Sequence, residues 1–282
     1  IGHIYWSILA FSANLSPTVI SLITNLVLMG AIGILYFALA RELGASDLVA
    51  LISLVVVALG TNVPGLIGWS IIQPNDNGVW WAILGDLRTA PFIQKFSAFE
   101  AMTLGLSLYT GLVFMSVISL RYLSRFELIT VPMFVVAITA VYPHIFPIAA
   151  IVLVGLIATL VIKNFDLSQS IDRKTLVKLL LVSGITLIVC AGILKVYAID
   201  TTESIIALSS FKESAKKTVA AGLSLTPFGI AMLWTWRSKL PEDRGSLLIL
   251  GTAFIGSIFL NILMRLGALN EYKFFFTAGI SI

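Results

Sequence analysis

The sequence predicts an all-α polytopic transmembrane bundle of about eight or nine membrane helices with an interfacial helix before them, and three observations carry that reading. Of the 282 residues, 59% are hydrophobic and only 11% are charged, whereas a soluble domain carries about 25% charged residues. A mean hydropathy of +1.03 leaves too few polar side chains to cover a water-facing surface, so lipid must solvate much of the chain. The apolar stretches run on for about 18 to 24 residues, the length of a bilayer crossing. Barrel strands, by contrast, alternate apolar and polar over about ten residues.

Taken in order, residues 1 to 15 hold Tyr5, Trp6 and Phe11 with hardly a charge, which suits a helix lying along the interface. Membrane helices follow at roughly 17 to 40, 46 to 66, 98 to 120, 127 to 142, 145 to 162, 175 to 196, 218 to 236 and 246 to 264, with a last one entering near 272. The fourth is short, and it meets the fifth at Pro143-His144-Ile145-Phe146-Pro147, a corner too tight for a loop. These two form a helical hairpin whose tip barely leaves the membrane. Residues 1–282 read as a single transmembrane domain, with external loops at about 67–97 and 197–217. The chain opens at Ile1 and stops inside an apolar run at Ile282, and it reads as an excerpt of a longer protein.

Orientation follows from the basic residues. Ten of the 18 Lys and Arg fall on one side, among them Arg41, Arg121, Arg125, Arg173, Lys174 and Arg244, mostly in very short connections. That side is expected to be cytoplasmic. The other eight spread over the two longer loops and the helix ends. The single cysteine, Cys190, lies within an apolar run, which excludes a disulfide framework and a zinc-type cluster. With two histidines and one cysteine, a His or Cys metal site and a Cys/His nucleophile are both disfavoured, while a carboxylate-bound divalent cation stays compatible with the composition. Phosphate-binding loops, dinucleotide-binding glycine fingerprints and metalloprotease or esterase motifs are absent. No internal repeat supports the duplication common in secondary transporters.

Ionisable groups at membrane depth are costly and are functional candidates by default. Glu100 lies about three residues into the third helix, His144 sits on the hairpin corner, Arg265 closes the eighth helix, and Glu271 and Lys273 stand at the mouth of the ninth. All fall at the same, non-cytoplasmic level, whereas side chains that merely snorkel would fall at both faces. Each also has a structural alternative. Arg265 and Lys273 can reach lipid headgroups, Glu100 can pair with Lys95 or complement its helix dipole, and His144 can bond a backbone carbonyl freed by Pro143. Trp80-Trp81 reads as an interfacial belt and the charges of 197–217 as a solvated face.

The segment Asn270-Glu271-Tyr272-Lys273-Phe274 resembles the Glu-x-Arg/Lys-Phe signature that opens a late helix in the large polytopic glycosyltransferases of the GT-C type. There the usual form is His-Lys-Glu-x-Arg-Phe, and here the first two positions read Leu269-Asn270. The start, Ile4-Tyr5-Trp6 through Leu39-Ala40-Arg41-Glu42-Leu43-Gly44, is similar to the segment where an interfacial helix leads into a long helix with a Leu-Ala-Arg-Arg/Glu-Leu-Gly end. Tyr142-Pro143-His144 resembles the family's His-Pro-His-type corner with one His. The three similarities fall in the family's order. They imply an inverting transfer of a sugar from a polyprenyl-phosphate carrier to an acceptor on the non-cytoplasmic face of the plasma membrane. The partners implied are that lipid-linked sugar and membrane lipids, with no nucleic acid. Arg88, Lys95, Arg265 and Lys273 are then the cations for the donor phosphate. Glu271, Asn270, His144 and Tyr142 are the orienting groups. The family's base is an Asp in the first external loop, upstream of this chain, which leaves Asp86 and Glu100 as carboxylates for a secondary base or for orienting the acceptor. A flippase for a lipid-linked saccharide and a non-catalytic membrane scaffold are the competing classes.

Overall fold

A computed structural model describes residues 16–60, 100–122, 125–165, 173–200, 206–211 and 244–266, with single positions at 11, 214, 215, 218, 230, 237 and 277. Its helices are α1 (Pro17–Glu42), α2 (Asp47–Gly60), α3 (Glu100–Tyr122), α4 (Arg125–Val141), α5 (Phe146–Phe165), α6 (Arg173–Asp200) and α7 (Arg244–Leu263). A 3-10 turn, Pro143–Ile145, joins α4 to α5, and two short strands, β1 (Ile206–Leu208) and β2 (Met264–Leu266), pair antiparallel. Among the described residues five helical segments are long and apolar enough to cross a bilayer: Val19–Glu42, Met102–Tyr122, Pro143–Ile162, Lys174–Val196 and Arg244–Leu263. Ile129–Val141 is a shorter apolar helix. The chain is therefore a helical integral membrane protein. The expected helices at 218–236 and from 272, the interfacial helix and the loop 67–97 lie outside the described residues, apart from single positions such as the exposed Phe11.

Local chemistry sets the helix limits. Ser16 caps α1, its Oγ accepting from the Val19 amide at 3.3 Å, and Pro17 occupies the first turn, where its missing N–H costs nothing. At the other end the Ala45 amide donates to the Ala40 carbonyl (3.0 Å) and the Gly44 amide to that of Arg41 (2.9 Å), a Schellman closure in which Gly44 adopts φ 88°. Arg41 Nε lies 2.9 Å from Asp47 Oδ1, and Arg121 reaches Glu42 Oε2 at 3.3 Å. The second pair joins the last turns of α1 and α3, so these two helices run in the same direction.

The core centres on α3, which packs against α1, α4, α5 and α7. Leu106, Tyr109, Leu112 and Leu120 are all but fully buried there. Buried hydroxyls on α3 turn back on their own helix: Ser107 donates to the Leu104 carbonyl at 2.8 Å, Thr110 to Leu106 at 2.8 Å and Ser116 to Leu112 at 2.7 Å. Each is thereby satisfied without a partner from another helix. Small residues bring the backbones close. A Cβ added at Gly155 would stand 2.8 Å from Thr252 Cγ2, and one at Gly256 would stand 2.9 Å from Ile151 Cγ2. These reciprocal contacts make α5 and α7 antiparallel. On the periphery, Cys190 of α6 is buried with its Sγ 3.2 Å from Thr139 Oγ1 of α4, a structural thiol.

Two expected elements can be set against the described residues. The eighth expected helix, 246 to 264, matches α7, which ends at Leu263, and Arg265 follows it as the middle residue of β2, paired with Ala207. Of the expected external loop 197–217, α6 takes in the first residues up to Asp200 and Ile206–Leu208 forms β1 on β2, while 201–205 lie outside the described residues. Hydropathy marks where the chain leaves hydrocarbon, while element ends are set by where backbone groups find partners.

Candidate functional site

The candidate site is assembled at the corner between α4 and α5. Pro143 denies helical geometry to the residue before it, and Tyr142 adopts φ −144°, ψ 70°. The Tyr142 amide still closes α4 through the Ile138 carbonyl at 2.7 Å, and the Ile145 amide donates to the Tyr142 carbonyl at 3.2 Å. The turn therefore holds Tyr142 and His144 in fixed relation, their rings 5.4 Å apart and tilted by 46°. Tyr142 is buried and packs onto Gly105 of α3 so closely that an added Cβ there would lie 2.6 Å from Tyr142 Cβ. The Tyr142 hydroxyl and His144 Nδ1 are both inaccessible to water.

Helix register carries further groups to this level. The Gly155–Thr252 and Ile151–Gly256 contacts fix how α5 slides against α7. Continuing that register brings the end of α7, Leu263, to the height of His144 and places Asn261 near that of Phe146. Asn261 is buried. The Arg121–Glu42 pair fixes α1 against α3, and at equal rise per residue Asn25 then stands level with Leu104, beside Gly105. Asn25 is 1% exposed, and among the described residues neither its Oδ1 nor its Nδ2 has a hydrogen-bond partner. An amide left bare inside a membrane helix costs on the order of several kcal/mol.

Of the residues singled out from sequence, Tyr142 and His144 are brought together, Glu100 opens α3 at the same end, and Arg265 follows α7 at that end within β2. The N-termini of α1, α3 and α5 face this end beside the C-termini of α4 and α7, so helix dipoles of both signs meet there. Asp86, Arg88, Lys95, Asn270, Glu271 and Lys273 lie outside the described residues. Among the described residues no three His, Cys, Asp or Glu side chains gather as a metal site, so a divalent cation has no described donor set. Asn25 and Asn261 carry no ionisable group to mark them in the sequence. An Asn within a run of some twenty apolar residues was the available signal.

No family model, curated protein or solved structure matches the chain. The functional reading therefore rests on the residues themselves.

Proposed function

We propose that this chain is the membrane domain of a GT-C-type inverting glycosyltransferase, which moves a sugar from a polyprenyl-phosphate carrier to an acceptor on the non-cytoplasmic face. The observation that carries the reading is the gathering of Tyr142, His144 and the Glu100 end of α3 at one end of the bundle, the end at which the Glu271-Tyr272-Lys273-Phe274 motif was expected from sequence. Supporting it are the buried amides of Asn25 and Asn261 at nearby heights, which suit hydroxyl and phosphoryl oxygens.

In this reading Lys273, Arg265, Arg88 and Lys95 hold the donor phosphate. Asn270, Glu271, Tyr142 and His144 orient the sugar and the carrier head. The acceptor oxygen attacks the anomeric carbon from the face opposite the phosphate, the carbon–oxygen bond to the phosphate breaks, and polyprenyl phosphate departs. A carboxylate takes the acceptor proton. In the GT-C enzymes that the sequence resembles this base is an Asp of the first external loop, and within this chain Asp86 and Glu100 are the carboxylates proposed for a supporting role.

The test is sugar transfer from a labelled polyprenyl-phosphate donor, in membranes carrying the full protein, for the wild type, Lys273→Ala, Glu271→Gln and His144→Ala at matched expression. Transfer in the wild type that collapses in Lys273→Ala and Glu271→Gln supports the reading. No transfer from any of several donors, while labelled lipid-linked saccharide still crosses vesicle bilayers, makes the protein a flippase.

A further inference from the structure

The segment after α6 ends in a feature that the sugar chemistry does not use. β1 pairs with β2 in the register Ile206 to Leu266, Ala207 to Arg265 and Leu208 to Met264. Beyond the strand the Ser209 amide donates to the Leu263 carbonyl at 2.7 Å, and Ser214 Oγ donates to the Ile262 carbonyl at 3.1 Å. These are the last carbonyls of α7, which have no partner within their own helix. The Ser214 amide bonds the Ser210 carbonyl at 2.9 Å and Thr218 Oγ1 bonds that of Ser214 at 2.8 Å, so a helical turn begins here.

Those bonds fix a depth. Arg244–Leu263 is a candidate span, so a segment tied to the Ile262 and Leu263 carbonyls stands at the edge of the hydrocarbon. At that edge Leu208 is 79% exposed and Phe211 is 91% exposed. Two large apolar side chains held bare at this height would be unfavourable in water. On α7 itself Leu248, Ile255 and Phe259 are exposed at helical spacing, an apolar face that runs toward the same end. The sequence that follows Phe211 supplies Lys212, Lys216 and Lys217 against the single carboxylate of Glu213, a balance that favours anionic headgroups.

We propose that Leu208 and Phe211 form a membrane-interface anchor, inserting among the acyl chains of a phospholipid bilayer beside α7. The hydrogen bonds to the Ile262 and Leu263 carbonyls set its depth. The inference does not depend on glycosyl transfer.

The experiment places an environment-sensitive fluorophore at Phe211→Cys, and separately at Leu208→Cys, in a Cys190→Ala background of the full protein. Each labelled protein is reconstituted in vesicles of phosphatidylglycerol and phosphatidylcholine. Both side chains are exposed, so neither substitution removes internal packing. The expected result is a blue-shifted emission, loss of quenching by aqueous iodide, and stronger quenching by lipids with a nitroxide near the headgroup than by lipids with one at mid-chain. Full quenching by iodide with no effect of nitroxide lipids would overturn the anchor by putting the segment in water. Protection from iodide and nitroxide lipids alike would overturn it in favour of a protein partner or a second copy of the chain.

Discussion

The two ends of the bundle solve the problem of polar groups in different ways. At the end that holds Arg41, Glu42, Asp47 and Arg121, opposite charges meet at 2.9 and 3.3 Å and a left-handed glycine closes the helix. These groups serve one another, and their work is to join α1 to α2 and to α3. Near the end that holds Tyr142 and His144, the amides of Asn25 and Asn261 are deeply buried on helices whose register is set elsewhere. Asn25 has both amide atoms without a hydrogen-bond partner among the described residues. A group that satisfies its neighbours is architecture, whereas one kept at a cost in stability is a place to look for a ligand.

Substitutions can break or sharpen that contrast. The largest effect is expected at Gly105, where Ala would force its Cβ to within 2.6 Å of Tyr142 Cβ. Overpacking of this kind costs about 1–3 kcal/mol, and Gly105→Ala should lower the midpoint of thermal unfolding in detergent while displacing the Tyr142 corner. Unchanged stability would mean that the corner yields easily and is no fixed platform. Asn25→Leu should act in the opposite sense. Removing the bare amide is expected to raise stability by roughly 1–2 kcal/mol, and under the proposed function it should also lower sugar transfer. A stabilised variant with unaltered transfer would return Asn25 to the class of unused polar groups.

Smaller changes belong to the charged end. Gly44 stands at φ 88°, and Gly44→Ala should cost about 1 kcal/mol, because an L side chain is crowded in that conformation. The double-mutant cycle of Glu42→Ala with Arg121→Ala should give a coupling of only about 0.5 kcal/mol, since both side chains remain 29% exposed. Transfer activity should be indifferent to that pair at matched expression. If the cycle abolished transfer, the separation between an architectural end and a functional end would fail.

Much of the candidate site was legible because it sits on punctuation. Pro143 marked the corner and so marked Tyr142 and His144, and the charges of Glu100 and Arg265 stood out against apolar surroundings. Asn25 and Asn261 were not legible as buried groups. In a bilayer the outer surface is as apolar as the interior, so the periodicity that reveals the buried face of a soluble helix is nearly lost. Nothing in the spacing of α1 says that Asn25 turns inward while Leu22, Ile23, Leu26 and Val27 face out.

By itself the sequence determined that the chain is a helical membrane protein, and it located six of its helices to within about four residues at each end and the start of a seventh. It could do so because transfer of apolar side chains to lipid, and the capping habits of Ser, Pro and Gly, are local properties. Only the tertiary structure decided that Tyr142 rests on Gly105, that α5 and α7 approach through Gly155 and Gly256, and that Ile206–Leu208 pairs with Met264–Leu266. Those are contacts between segments far apart in the chain, fixed by shape and by backbone hydrogen bonds that hydropathy does not encode.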